Sequence, residues 1–238
     1  MNPILSPILS QVDQVYVINL PHRSDRRAEI EAQLRKAGSG LDAANVTLFP
    51  ALRPQEAGPF PSIGARGCFL SHLGVLRAAH AAGHGQILVL EDDADFAPPF
   101  LETAAAARLM AGDWDMVWLG HKIIEPLGHP AAECFALAPG HTLQTSHAIL
   151  CRRAAIAALI PYLEAILQRP PGDPQGGPMH VDGAYNWFRR AHPEIKALAT
   201  ARQWAVQRAS RTDIAETGWK DRLPFVTLLR RIRNRLRG

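Results

Sequence analysis

The sequence is poor in cysteine and has no long apolar run. Cys68, Cys134 and Cys151 are the three cysteines among 238 residues, and none of them has the CxxC spacing typical of zinc sites. They are expected to be reduced thiols in a cytoplasmic protein rather than a disulfide framework. No uncharged stretch is long enough to span a bilayer, and residues 1–20 lack the basic start of a signal peptide.

Basic residues show no excess outside the C-terminal segment. The net formal charge is +4, but residues 222–238 contain six arginines and no acidic residue. Without these six, 20 basic residues face 22 acidic ones. A nearly neutral body argues against nucleic-acid binding, because that function requires a basic surface.

Residues 222–238 form a basic tail after a domain of residues 1–221. At helical spacing the apolar residues of the tail share one face, and arginines cover the rest. This pattern predicts a helix that lies on an anionic membrane, peripheral on the inner face. The alternative is a helix packed on the body with solvated arginines. The apolar face consists of Phe225, Leu228, Leu229, Ile232 and Leu236.

Short strands alternate with helices along the body, which predicts an α/β sheet with crossover connections. Ligands of such sheets bind beyond the carboxyl ends of the strands. The polar segments Asn19–Arg26, Glu91–Asp95 and Gly120–Lys122 each follow a predicted strand, so we expect them to meet at one edge. The strands are predicted at Gln14–Leu20, Val46–Phe49, Ile87–Leu90, Trp114–Leu119, Thr145–Cys151 and Ile195–Ala199, and the helices at Arg26–Ala37, Gly67–Ala82, Phe100–Met110, Ala154–Leu167 and Val181–Ala191.

The stretch ILVLEDDADF places a run of carboxylates directly after a buried strand. Glu91 and Asp93 share one side of an extended chain, as do Asp93 and Asp95. Clustered carboxylates suit Mg²⁺ or Mn²⁺, which bind one or two of them together with substrate phosphates. The alternative is a set of acids that complements the dipole of the following helix. Three consecutive acids exceed what a helix start needs, so a metal site is favoured.

The turn INLPHRSDRR carries Arg23, Arg26 and Arg27 between a strand and a helix. Helix N-termini expose free N–H groups, and arginine binds phosphate through two hydrogen bonds. The alternative is a solvated turn whose arginines pair with Asp25 and Glu29. The phosphate-binding turn and the metal site, taken together, indicate a nucleotide diphosphate ligand.

Two further segments contain reactive side chains. His72 lies in the apolar helix GCFLSHLG, where a histidine is most often a satisfied interior residue. Cys68 stands four residues before it, but no third ligand is near in sequence, so the pair is weak support for zinc. Asp182 opens the helix VDGAYNWF, either as an N-cap or as a general base whose pKa is raised by burial.

Five segments taken together resemble glycosyltransferase family 25, which includes bacterial lipooligosaccharide galactosyltransferases and the collagen galactosyltransferases. The resemblance implies a single GT-A type domain with a mixed, mostly parallel, Rossmann-like sheet. It also implies an inverting hexosyltransferase with a UDP-sugar donor (usually UDP-galactose), Mn²⁺ or Mg²⁺, and a glycan or lipid-linked acceptor such as lipooligosaccharide. The segments, in chain order, are VYVINLPHRSDRR, GARGCFLSHLGVLRAA, ILVLEDDADF, WDMVWLG and VDGAYN.

The family motifs assign roles to particular residues of this sequence. Asp93 matches the metal ligand of the acidic motif, with Asp95 as a second metal candidate. Asp182 matches the candidate base, and His72 is a further catalytic candidate. The residues carried over to the donor site are Asn19, Arg23, Arg26, Glu91 and Asp92. The terminal family motif is spread over Gln207, Ser210, Asp213 and Ile214.

Two other functions use the same residues. A phosphohydrolase or nucleotidyl enzyme could employ these carboxylates, but the sequence shows no second acidic cluster of the kind that two-metal sites need. A non-catalytic module would bind a sugar nucleotide without turning it over. The intact acids at positions 91–93 and 182 favour an enzyme.

Overall fold

The computed structural model describes residues 5–124 and 133–209. The tail predicted at 222–238 lies outside the described residues. The described helices are α1 (Pro7–Gln11), α2 (Ser24–Lys36), α3 (Ile63–Ala81), α4 (Pro98–Leu101), α5 (Thr103–Met110), α6 (Arg153–Gln168) and α7 (Val181–Ala191). The described strands are β1 (Gln14–Asn19), β2 (Val46–Pro50), β3 (Gln86–Glu91), β4 (Ala94–Phe96), β5 (Met116–Ile123), β6 (Cys134–Ala136), β7 (Leu143–Arg152), β8 (Ala197–Thr200) and β9 (Ala205–Gln207).

The main sheet has seven described strands in the order β2-β1-β3-β7-β5-β8-β6. Strands β2, β1, β3, β5 and β8 run in one direction, and β7 and β6 run in the opposite one. The short strands β4 and β9 form a separate antiparallel pair. The prediction of a single α/β domain with a mixed, mostly parallel sheet is therefore confirmed.

Helices cover both faces of the sheet, which explains the uninterrupted apolar runs 15–18 of β1 and 87–90 of β3. Ile87 and Val89 of β3 pack into a core that also contains residues of α3, α6 and α7. Leu88 and Leu90 of the same strand pack into a second core with residues of α1, α2 and α5. A strand buried on both faces has no polar alternation, and its run of apolar residues is the signal that sequence analysis used.

Several predicted boundaries differ from the structure. The helix predicted at Phe100–Met110 is interrupted at Glu102, whose extended backbone (φ −73°, ψ 111°) separates α4 from α5. The helix predicted from Gly67 begins at Ile63, after Ser62 accepts a hydrogen bond from the backbone N–H of Ala65 (3.0 Å). The segment 120–122 lies inside β5 and does not follow it. No described helix has the length and apolar character that crossing a membrane requires.

Gly67 lets α3 approach the segment that follows β2. A Cβ atom added at Gly67 would lie 2.5 Å from the carbonyl oxygen of Leu52. We expect Gly67→Ala to lower the free energy of unfolding by about 1–2 kcal/mol, since the clash exceeds the better helix propensity of alanine. Denaturant unfolding measures this. Gly140→Ala is the control, because a Cβ there meets no atom within 4 Å; equal effects at the two sites would contradict the prediction.

Candidate active site

The carboxyl ends of β1 and β3 meet at one edge of the sheet, because the two strands are parallel neighbours. A cavity of about 610 Å³ opens at this edge, between residues 51–57, the start of α3 and the residues that end β3. This volume is in the range of small-molecule sites. The polar side chains that line it include Arg26, Arg53, Ser71, Glu91 and Asp92.

Asp92 is held by two of the residues that sequence analysis grouped with it. Its Oδ2 accepts a hydrogen bond from Nδ2 of Asn19 (2.8 Å), and its Oδ1 accepts one from Nη1 of Arg26 (2.9 Å). Asp92 is only 6% exposed, so this ion pair removes much of the cost of burying its charge. The three side chains form one rigid unit at the end of β1.

Asp93 differs from Asp92 in the hydrogen bonds that its two oxygens accept from the described residues. Its Oδ2 lies 3.4 Å from the donor Nε2 of Gln207 and 3.6 Å from Nη1 of Arg26. Its Oδ1 is buried and makes no hydrogen bond with any described residue. Burial, followed by the negative charge of Glu91, raises the pKa of Asp93 to about 7. A buried acceptor of this kind fits a divalent cation, which would satisfy the oxygen and stabilise the ionised form.

Asp95 lies on β4 and is already paired. Its carboxylate accepts a hydrogen bond from Nε2 of Gln33 (2.8 Å) and forms an ion pair with Arg208, which also pairs with Glu29. A carboxylate neutralised by arginine attracts a cation less strongly. The metal role of Asp95 stays a prediction, and the structure favours Asp93 of the two.

Arg23 is likewise engaged by a neighbour. Its Nε and Nη2 donate to the two carboxylate oxygens of Asp25 (2.9 and 2.8 Å) on an exposed turn. This bidentate contact holds the pKa of Asp25 well below its usual range. The structure thus contains the Arg23–Asp25 pair that the sequence offered as an alternative. A role of Arg23 in binding the nucleotide-sugar donor stays a prediction.

Glu91 connects the cavity to a buried histidine. Nε2 of His72 lies 3.2 Å from Oε1 of Glu91, and Nδ1 lies 3.0 Å from the hydroxyl of Tyr185. Burial alone would raise the pKa of Glu91, but the hydrogen bond and charge of His72 outweigh it, so the pKa is lowered. His72 is 1% exposed and does not line the cavity. It contacts the cavity lining through its hydrogen bond to Glu91.

Asp182 stands at the start of α7, on the same side of the sheet as Cys68. Its Oδ2 accepts a hydrogen bond from the backbone N–H of Thr145 (3.1 Å), and its Oδ1 accepts one from that of Gly183 (2.8 Å). The pKa of the Cys68 thiol is raised well above its usual value by burial, then by the charge of Glu91, then by that of Asp182. Asp182 is therefore electrostatically coupled to the cavity wall.

Arg53 is a cavity residue that sequence analysis missed. It stands in the Pro- and Gly-containing stretch RPQEAGPFPSI, where no local pattern marks it. The side chain is exposed, lines the cavity and makes no hydrogen bond or ion pair with the described part of the chain. Of the terminal motif, Gln207 contacts Asp93, while Ser210, Asp213 and Ile214 lie outside the described residues.

The order of these motifs agrees with a known family. The family model described as glycosyltransferase family 25 (LPS biosynthesis protein) matches residues 12–138, which is more than half of the chain. The chain belongs to glycosyltransferase family 25. This match includes β1, α3 and the acids that end β3, and so contains most of the cavity.

Curated relatives of this family 25 chain include proteins named as galactosyltransferases and proteins named as inactive. The inactive glycosyltransferase 25 family member 3 of Homo sapiens is 31% identical over 144 residues, covering 51% of this chain and 24% of the relative. Procollagen galactosyltransferase 2 of Mus musculus is 31% identical over 134 residues, covering 46% of this chain and 21% of the relative. The chain thus spans about a quarter of the length of these relatives or less.

One solved structure shares the fold of the family 25 chain. It is a glycosyltransferase involved in the glycosylation of the major capsid of PBCV-1, with a TM-score of 0.50 and 11% identity. The match covers 84% of this chain and 93% of that one. At this identity the likeness concerns the fold alone.

Proposed function

We propose that this family 25 domain is a metal-dependent inverting hexosyltransferase that uses a nucleotide diphosphate sugar, with UDP-galactose as the first candidate. The observation that carries the proposal is Oδ1 of Asp93, which is buried and accepts no hydrogen bond from a described residue. Asp93 directly follows Glu91 and Asp92, which line the cavity of about 610 Å³. Mn²⁺ or Mg²⁺ at Asp93 would supply Lewis-acid stabilisation of a diphosphate leaving group. The acceptor is proposed to be a glycan or lipid-linked hydroxyl.

The residues around the cavity have separate tasks in this proposal. Asn19 and Arg26 fix Asp92, which leaves its carboxylate rigid at the donor edge. Glu91 is positioned by His72 and by the hydroxyl of Ser146, which donates to its Oε1 (3.3 Å). Preorganised groups of this kind lower the cost of binding because little ordering is left to do.

Asp182 is the proposed general base. Its carboxylate would take the proton from the acceptor hydroxyl while that oxygen attacks the anomeric carbon from the face opposite the diphosphate. The bond from the anomeric carbon to the β-phosphate oxygen breaks, and the electron pair leaves with the nucleoside diphosphate. The two backbone N–H groups that contact Asp182 hold its side chain in place.

Arg53 is proposed to bind the donor diphosphate, since no described residue neutralises it. We expect Arg53→Gln to weaken donor binding about tenfold to a hundredfold, because a charge-assisted hydrogen bond contributes about 1.5–3 kcal/mol. Calorimetric titration with UDP-galactose measures this. Arg77→Gln is the control, as Arg77 pairs with Glu164 away from the cavity. An unchanged affinity in Arg53→Gln would remove Arg53 from the donor site.

A specific observation keeps a second function open. Relatives named inactive are about as similar to the chain as the galactosyltransferase is. A non-catalytic module would bind sugar nucleotides without releasing the nucleoside diphosphate. A panel of nucleotide sugars, screened for metal-dependent thermal stabilisation and then for transfer and hydrolysis, separates the two. A phosphohydrolase would instead cleave nucleotides without a sugar.

Membrane association through residues 222–238 and the cytoplasmic location also stay predictions.

A further inference from the structure

Three side chains of different chemistry meet at the inner wall of the cavity. The sulfur of Cys68, a ring nitrogen of His72 and a carboxylate oxygen of Glu91 all lie within 4.8 Å of one another. It is the only such group among residues 5–124 and 133–209. Cys68 and His72 are four residues apart on α3, so they share a helix face, and β3 brings Glu91 to them.

The separations match those of ligands around one small ion. Two ligands at about 2.0–2.3 Å from a tetrahedral ion lie roughly 3.3–3.7 Å apart. Nε2 of His72 is 3.2 Å from Oε1 of Glu91, and Sγ of Cys68 is 3.9 Å from the same oxygen. Each of these two distances is within a few tenths of an ångström of that range, and all three atoms lie within 4.8 Å of one another.

The surroundings also support metal binding. Nδ1 of His72 lies 3.0 Å from the Tyr185 hydroxyl, and an outer partner of this kind fixes the orientation of a ligating imidazole. The Ser146 hydroxyl does the same for Glu91 (3.3 Å). Cys68 and Glu91 line the cavity, so a fourth coordination position would face the space where a ligand binds.

We propose that Cys68, His72 and Glu91 form a three-ligand site for Zn²⁺, open to the cavity at the fourth position. Thiolate and imidazole select zinc over Mg²⁺ or Mn²⁺, which prefer oxygen ligands. The site is therefore chemically different from the hard-cation site proposed at Asp93. Binding displaces the thiol proton of Cys68, which goes to solvent. It also removes the proton that Nε2 of His72 donates to Glu91, so that His72 coordinates through Nε2 with its remaining ring proton on Nδ1.

The test uses the full chain after chelation and desalting. Titration with Zn²⁺, and with Co²⁺ as a spectroscopic substitute, is expected to give about one tightly held equivalent and a cobalt–thiolate charge-transfer band. Cys68→Ser should lose the band and weaken Zn²⁺ binding by about 100-fold or more. Cys134→Ser is the control, since Cys134 lies on β6 outside the trio. Retention of the band in Cys68→Ser would overturn the proposal, as would no zinc uptake by the unmodified chain.

Two further measurements keep the result interpretable. Zn²⁺ should protect Cys68, but not Cys134, from alkylation of the unmodified chain, as read by peptide mass spectrometry; unprotected Cys68 would refute the site even if the variant fails to fold. Asp93→Asn should keep Zn²⁺ binding while losing the response of donor binding to Mn²⁺. Failure of the zinc site and failure of the proposed transferase function are thus distinguishable.

Discussion

Asp93→Asn is expected to abolish metal-dependent donor binding and to lower transferase turnover by about 10³-fold or more. The magnitude follows from the several kcal/mol that a metal contributes to a developing negative charge, at about 1.4 kcal/mol for each tenfold change in rate. Asparagine keeps the shape of the side chain but removes the charge. The measurements are a Mn²⁺ titration of UDP-galactose binding and initial rates of transfer at saturating metal.

The choice of control follows from the different partners of the two acids. Asp95→Asn breaks an ion pair with Arg208, so it should lower stability while leaving the Mn²⁺ affinity close to that of the unmodified chain.

The pH dependence of Mn²⁺ binding is a second test of Asp93 as the metal ligand. Because the pKa of Asp93 is raised to about 7, the cation must displace a proton below that pH. The apparent Mn²⁺ affinity should rise about tenfold per unit up to pH 7 and level off above it. A normal Mn²⁺ response in Asp93→Asn would exclude it as the ligand.

Asp182→Asn is expected to lower kcat by about 10²–10⁴-fold with little change in donor affinity, because general-base catalysis contributes about that much. Thr145 and Gly183 donate to different oxygens of Asp182, so an asparagine keeps one of these two hydrogen bonds, and the start of α7 should lose about 1 kcal/mol. Initial rates with saturating donor and a varied acceptor measure the effect, and thermal unfolding checks the fold.

Asp173→Asn provides the matched control for the candidate base. Asp173 lies in the loop before α7 and accepts a hydrogen bond from the backbone N–H of Gln175 (2.7 Å). It has the same chemistry, and neither it nor Asp182 lines the cavity, but only Asp182 is among the charges that raise the pKa of the Cys68 thiol in the cavity wall. Should Asp182→Asn keep normal turnover, the base lies elsewhere, and Glu91 would be the next carboxylate to test.

The sheet could be predicted from sequence where burial leaves a local signal. β1 and β3 are apolar at consecutive positions because both faces are covered, and that pattern is visible without a structure. β4, β6 and β9 have three residues each, which is too short for any period to appear. β9 also pairs with a strand more than 100 positions earlier, a partnership that no local pattern encodes.

The candidate site shows the same division between local and distant information. The acids after β3 and the turn after β1 stood out because their composition is unusual for a strand end. Sequence alone could not decide which charges cancel. The structure pairs Arg23 with Asp25 and Arg26 with Asp92, and leaves Arg53 facing the cavity. In the sequence the Cys68–His72 pair is only weak support for zinc, because Glu91, 19 residues beyond His72, becomes their neighbour only in the folded chain.

The pairing of β4 with β9 has a practical consequence for shortened versions of the chain. Gln207 contacts Asp93, and Arg208 contacts Asp95, so both acids rely on residues almost at the end of the described chain. The family match stops at residue 138, well before them. A fragment trimmed to that boundary would remove the Gln207 contact of Asp93 and the Arg208 ion pair of Asp95, and would lack β7 beside β3. Any working fragment has to extend through residue 208.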